Sequence, residues 1–318
     1  MTTIIWVNGR LCPEKEFAIP LHDSVLEHGL GLFETMRTWG GRTPLLDRHL
    51  ARMRSSARAL GIDLDPASLP DAMAVSGLLR SHGREGDARL RITATGGMSR
   101  AVSLSKPVPL TRPSGTLSRG ERGRGVGLFG ERYGPGEMSG SGTAVVWMRH
   151  DPLSAAATTG GATLVPAPWP IAFDDPLARH KSLNYWSRRI AFDAARRQGA
   201  DEALFATPDG RIWEGSRTSL FLIRDETLWT PGLDGPIVPG IMRGLVLELA
   251  PALGLAIREG DLSGHDLDRA EEVFLTNAVR GVIPVAQASG RVFENPGPWT
   301  LRLHHAMVEW LEREGVRP

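Results

Sequence analysis

The stretch "EALFATPDGRIWEGSRTSLFLI" (202–223) constrains the fold of this 318-residue chain more than any other. Asp209-Gly210 is a tight-turn pair between two β-rich runs, so the stretch predicts a strand, a turn, a second strand and then a third. One residue sits badly in such a sheet. Glu214 ends one β run and precedes another, and an ionised carboxylate there needs a cationic partner. Arg211 or Arg217 would serve, and so would a protonated pyridine nitrogen.

The other elements mix both periodicities. "IIWVNGRL" is a hairpin turning at Asn8-Gly9, and "GLFETMRTW", Gly40-Gly41 and "RTPLL" predict a second. Residues 46–60 predict a helix with Leu46, Leu50, Met53, Ala57 and Leu60 on one face and Gly61 as its stop. "ARLRITAT" (88–95) alternates as a strand does. Further strands are expected at "TAVVWM", "ATLVPA", "TLWTP" and, as a pair, at 272–287. Helices are expected at about 181–198, 240–253 and 299–314. Strands and helices interleave, so the class is α/β or α+β.

Residues 106–143 are rich in Gly, Ser, Pro and Arg without periodicity and read as a loop or linker. "GVGLFG" (125–130) within it matches a dinucleotide-binding pattern. It follows no strand and opens no helix, so the match carries no function. A net charge of +1 gives no global field for nucleic acid or anionic membrane. Cys12 is the sole cysteine, which excludes an internal disulfide, and no Cys/His cluster has metal-ligand spacing. "MTTIIWVNGR" lacks a secretory pattern, and "GLVLELAPALGLAI" is too short to span a bilayer. A cytoplasmic protein is expected.

Of 37 basic residues only Lys15, Lys106 and Lys181 are lysines. A chain that otherwise uses Arg has a chemical reason to keep Lys where an imine must form, because a desolvated amine can lose its proton and a guanidinium cannot. On its own, Lys181 at the start of a helix reads first as a surface lysine that did not become Arg. Pro239-Gly240 feeding a helix leaves backbone N–H groups free to meet a phosphate. Arg52 lies next to the apolar face of its helix, where it can turn inward to the same anion.

The order along the chain is Arg52, Lys181, Glu214, then "PGIMR". With "GLFETMR", "LLDRHLARM", "RLRITAT", "HKSLNY", "EGSRTSLFLI" and "EVFLTNAVRGVIPV", it resembles the class IV aminotransferases. These are the fold-type IV pyridoxal-phosphate enzymes, which include branched-chain and D-amino-acid aminotransferases and aminodeoxychorismate lyases. The likeness covers most of the chain outside 106–143. It implies a small N-terminal α/β domain (1–105) and a larger C-terminal, cofactor-binding domain (144–318), in a homodimer. It makes Lys181 the catalytic lysine that carries pyridoxal 5'-phosphate as an imine. It places Glu214 at the pyridine nitrogen and Tyr185 near the cofactor's hydroxyl. Arg52 and the backbone of Ile241 and Met242 would hold the phosphate. Ser219 and Ala278 match further cofactor positions, and Arg37, with Thr35, the position for substrate carboxylate.

The chain departs from the family pattern in three places. Ser219 replaces Asn, Met242 replaces the Thr of the phosphate loop, and Gly96 replaces an Arg. The branched-chain signature is also absent from "EHGLGLFET", so the chain looks closer to the D-amino-acid aminotransferase and lyase branches. The expected activity is transamination between an amino acid and a 2-oxo acid. Aminodeoxychorismate lyase is the alternative, and a non-catalytic binding protein on the same fold is the remote one.

Overall fold

The computed structural model describes residues 3–83, 87–98, 143–151, 153 and 160–314. The 106–143 segment, except Thr143, and the "GVGLFG" stretch lie outside the described residues.

β1 (Ile4–Val7) and β2 (Arg10–Pro13) form the expected hairpin, with Asn8 and Gly9 both at positive φ (42° and 92°), as its two-residue turn requires. After α1 (Ser24–His28) comes β3 (Gly31–Arg37). The expected second hairpin does not form beyond one bridge, Trp39 to Arg42. Pro44 has no N–H to extend a ladder, and the chain turns into α2 (Leu46–Ala59). α3 (Ala72–Ser81) follows. β3 pairs instead, antiparallel over its full length, with β4 (Arg89–Thr95). β5 (Val146–Asp151) lies beyond residue 144, where the C-terminal domain was expected to begin, yet it completes the first sheet in the order β2-β1-β5-β4-β3. Leu50, Met53 and Ala57 of α2 and Leu78 and Leu79 of α3 bury one face of that sheet against Met36, Leu90, Ile92 and Met148.

The second sheet has ten strands. β6 (Ala162–Pro166) leads to α4 (Trp186–Arg197), then β7 (Glu202–Ala206), β8 (Arg211–Gly215), β9 (Ser219–Arg224) and β10 (Thr227–Thr230). α5 (Ile241–Leu249) ends earlier than expected, in a 3-10 turn at Pro251, whose missing N–H breaks the helical ladder. β11 (Ala256–Glu259), β12 (Leu262–Ser263), α6 (Gly264–Arg269), β13 (Glu272–Asn277), β14 (Gly281–Ala288), β15 (Arg291–Val292) and α7 (Pro298–Glu314) complete the chain. "SLFLI" in β9 is apolar without alternation because both faces are covered. Leu220 and Leu222 pack toward α6. Phe221 stacks on Phe274 at 4.8 Å beneath α5 and α7.

The helix expected from 181 begins only at Trp186. Residues 181–183 are extended because they hydrogen-bond to β3. Phe33 N–H donates to the Lys181 carbonyl at 2.9 Å and Leu183 N–H to the Gly31 carbonyl at 2.9 Å. A Cβ at Gly31 would lie 2.6 Å from the Ala94 carbonyl oxygen and 2.7 Å from Leu183 Cδ1. Gly31→Ala is expected to force β3 away from β4 and cost about 1–3 kcal/mol in urea unfolding; an unchanged midpoint would contradict this close approach.

Candidate active site

Between the two sheets lies a cavity of about 1410 Å³, lined by Phe33, Arg52, Arg91, Lys181, Glu214 and Ile241 among others. That is more than a single small molecule needs and room enough for a cofactor with a substrate. Lys181 projects from the extended segment, with Nζ 4.1 Å from the centre of the Phe33 ring. Burial lowers its pKa to about 7. Glu34 opposes that shift, while Arg52, Arg188 and Arg91 add to it. Near neutrality much of this amine is therefore uncharged.

Glu34, in the middle of β3, is a buried carboxylate that organises one wall. It accepts Arg52 Nε and Nη2 at 2.8 and 2.6 Å and His49 Nδ1 at 2.7 Å. Burial alone would raise its pKa, but Arg52 and His49 outweigh that and hold it at about 2. Burial lowers the pKa of His49, with Glu34 working the other way. The fork of Arg52 is thus locked, and its Nη1 donates to the Pro239 carbonyl at 2.7 Å, beside the start of α5.

α5 begins at Gly240 with no side-chain cap, so the N–H groups of Ile241 and Met242 have no acceptor within the helix. A Cβ on Gly240 would lie 2.5 Å from Ser219 Oγ, so only glycine lets the hydroxyl reach this turn. Opposite Ser219 in register is Thr276, whose buried Oγ1 has no hydrogen-bond partner among the described residues. Two backbone donors, a locked guanidinium and two hydroxyls converge at the cavity wall. A phosphate monoester fits that donor set.

Glu214, near the end of β8 and in register with Ser219, also lines the cavity. Its partner is neither Arg211, which pairs with Asp209 and Asp261, nor Arg217, which stacks on Phe192. Arg188 Nη2 donates to Oε1 at 2.5 Å, and Val238 N–H to Oε2 at 3.2 Å. Burial pushes this carboxyl's pKa up and Arg188 works against it. Tyr185 lies edge-on to Phe33, its hydroxyl donating to the Ser216 carbonyl at 2.9 Å, and burial raises its pKa to about 12. The cavity thus brings together a buried amine, donors that fit a phosphate and a buried carboxylate, a set that fits pyridoxal phosphate.

Thr35, Arg37 and Ala278 also line the cavity. Arg37 is engaged by Asp87 at 2.6 Å and stacked on Trp39. Arg91 was not anticipated. It lies 4.0 Å over the Phe33 ring that Lys181 also touches, and makes no hydrogen bond among the described residues. The R-L-R-I alternation of β4 contained the signal, since it puts Arg89 and Arg91 on the face opposite buried Leu90 and Ile92. Glu34 and His49 were missed too, although a carboxylate inside an apolar strand and the His49/Arg52 spacing on one helix face pointed to them. Gly96 packs against Ser24 and Leu30, where a Cβ would lie 2.4 Å from Ser24 Oγ and 3.0 Å from Leu30 Cβ, so a side chain here would have to displace them.

Comparison with known proteins agrees with this assembly. The family profile described as amino-transferase class IV matches residues 31–117 and 116–288. A putative branched-chain-amino-acid aminotransferase of Methanocaldococcus jannaschii is 28% identical over 315 residues, covering 98% of each chain. An aminodeoxychorismate lyase of Bacillus subtilis is 26% identical over 290 residues, covering 88% of this chain and 85% of its own. In fold, the chain is similar to the branched-chain aminotransferase of Thermoproteus uzoniensis solved with norvaline, with a TM-score of 0.79, 24% identity, and coverage of 99% and 96%. A lyase stands among the relatives, but the likeness fits the aminotransferases better. It establishes the lineage: this chain belongs to the class IV aminotransferase family, whose enzymes depend on pyridoxal phosphate.

Proposed function

We propose that the protein transfers an amino group between an amino acid and a 2-oxo acid, with Lys181 as its catalytic residue. The observation that carries this reading is a buried lysine amine that lines one cavity with a set of donors fitting a phosphate and with a buried carboxylate, burial lowering its pKa to about 7. When bound, pyridoxal phosphate supplies a conjugated ring that takes up the electron pair left when a bond at the substrate Cα breaks. Lys181 would hold the cofactor covalently through Nζ, and once a substrate amine has taken its place the freed Nζ would accept and return the proton at the substrate Cα. Glu214 would accept a hydrogen bond from the ring nitrogen. Arg52, Ser219, Thr276 and the N–H groups of Ile241 and Met242 bind the phosphate. Tyr185 and Ala278 flank the cofactor.

For the substrate carboxylate we assign Arg91 ahead of Arg37. Asp87 already neutralises Arg37, whereas Arg91 shares the Phe33 ring with Lys181. Thr35 lies on the same wall. A homodimer is part of this reading. Leu21, Leu26, Trp186 and Ile190 are exposed apolar side chains, with Leu21 and Trp186 both 76% exposed. Gly29, which ends α1, abuts Asn184 just ahead of Trp186, so these side chains flank one junction. A reducing cytosolic compartment fits Cys12 as the sole cysteine.

A panel of amino donors offered with 2-oxoglutarate or pyruvate should yield new 2-oxo acid with wild type and none with Lys181→Ala. If no donor works and aminodeoxychorismate instead gives pyruvate and 4-aminobenzoate, the protein is a lyase built on the same residues. Arg91→Leu should raise the donor KM about tenfold or more through loss of a charged hydrogen bond, with the cofactor retained; an unchanged KM would move that role to Arg37. Acylation of Lys181 in the cofactor-free protein, mapped by mass spectrometry, should rise through pH about 7 and then level off. A rate still climbing toward the ordinary lysine range, about pH 10, would remove the uncharged amine from the mechanism.

A further inference from the structure

The carboxylate that is to meet the ring nitrogen already has a cationic partner. Arg188 stands in the first turn of α4 and Glu214 at the end of β8, with side chains 16% and 5% exposed. The bond is short, 2.5 Å from Nη2 to Oε1, and Arg188 Nη1 also reaches the Gly215 carbonyl at 3.4 Å. The Arg188 guanidinium lies 5.8 Å over the Phe205 ring. Of the two carboxylate oxygens, the one not facing Arg188 receives only the longer Val238 N–H bond, so it is the one with capacity left.

We infer that Arg188 is a positioning residue for the cofactor's ring nitrogen, which orients Glu214 and lowers the ring nitrogen's affinity for a proton. The inference rests on the reading of Glu214 given above. Two effects follow from one contact. In the cofactor-free site a guanidinium at hydrogen-bond distance favours the ionised form of this buried carboxyl and fixes its plane, whereas with the ring bound the pyridinium itself supplies a positive charge beside it. The same positive charge competes for the anion, so a pyridinium formed at Oε2 is stabilised less than by an unshared carboxylate. Lys181 feels the same field, since Arg188 is among the cations that depress its pKa. The consequence is an electron sink tuned below full strength, set by a residue that need not touch the cofactor.

The test reads the ring nitrogen itself and needs no turnover. Pyridoxal phosphate labelled with 15N in the ring is loaded into wild type, Arg188→Met and Glu214→Gln, and the 15N shift is followed against pH. In Arg188→Met the midpoint for loss of the ring proton should rise by about one unit or more. Arg188→Lys keeps a charge but loses the planar fork, so it should fall between wild type and Arg188→Met, and it serves if Arg188→Met does not accumulate. A midpoint in Arg188→Met equal to or below that of wild type overturns the inference, as does an Arg188→Lys midpoint equal to wild type where only that variant is obtained. Glu214→Gln separates the two layers. If it leaves the titration unchanged, Glu214 is not the ring's partner, and the underlying assignment fails rather than the role of Arg188.

Discussion

Two backbone hydrogen bonds, Phe33 N–H to the Lys181 carbonyl and Leu183 N–H to the Gly31 carbonyl, join the segment leading into α4 to the edge of the first sheet. Everything in the cavity is placed relative to that seam. The bonds keep 181–183 extended, delay α4 until Trp186 and point Lys181 into the space between the sheets. Gly31 sits between that seam and β4, where a Cβ would meet the Ala94 carbonyl oxygen and Leu183 Cδ1. β3 then supplies Phe33 beneath the amine and Glu34 beside Arg52, so one strand sets both the lysine and the phosphate wall.

The electrostatics follow from burial. Taking an amine out of water disfavours its charged form, and the surrounding guanidiniums of Arg52, Arg188 and Arg91 push the same way. The carboxylates divide the opposite task. Glu34 stays ionised because it is shared by Arg52 and His49. Glu214 stays available because Arg188 holds one oxygen and leaves the other. An Arg-rich chain with few lysines suits such a site, since guanidinium keeps its proton where an amine loses it.

Much of the fold was visible in the sequence wherever local pattern and final environment agree. The Asn8-Gly9 and Asp209-Gly210 turns, the apolar face of α2 and the β7–β9 strands needed no distant information. Elements decided by remote partners were not visible. β3 pairs with β4 across two helices, so the nearby Gly40-Gly41 turn suggested the wrong partner. Short α1 and α6 are held by end caps at Asp23 and Ser263 more than by a periodic face. In the site, Lys181, Glu214, Arg52 and the α5 turn could be read from residue type and order. Glu34, Arg91, Thr276 and Arg188 matter because of what folds against them, and Arg188 in particular looked like one more charge on a helix.

The account stands on Lys181 as the covalent anchor, and the most direct measurement of that is chemical. The cofactor-loaded protein is reduced with borohydride, digested and mapped by mass spectrometry. The account predicts the phosphopyridoxyl mass on the peptide containing Lys181, at about one per chain, and on neither Lys15 nor Lys106. Attachment at another lysine, or retention of the cofactor with no covalent adduct, would contradict it.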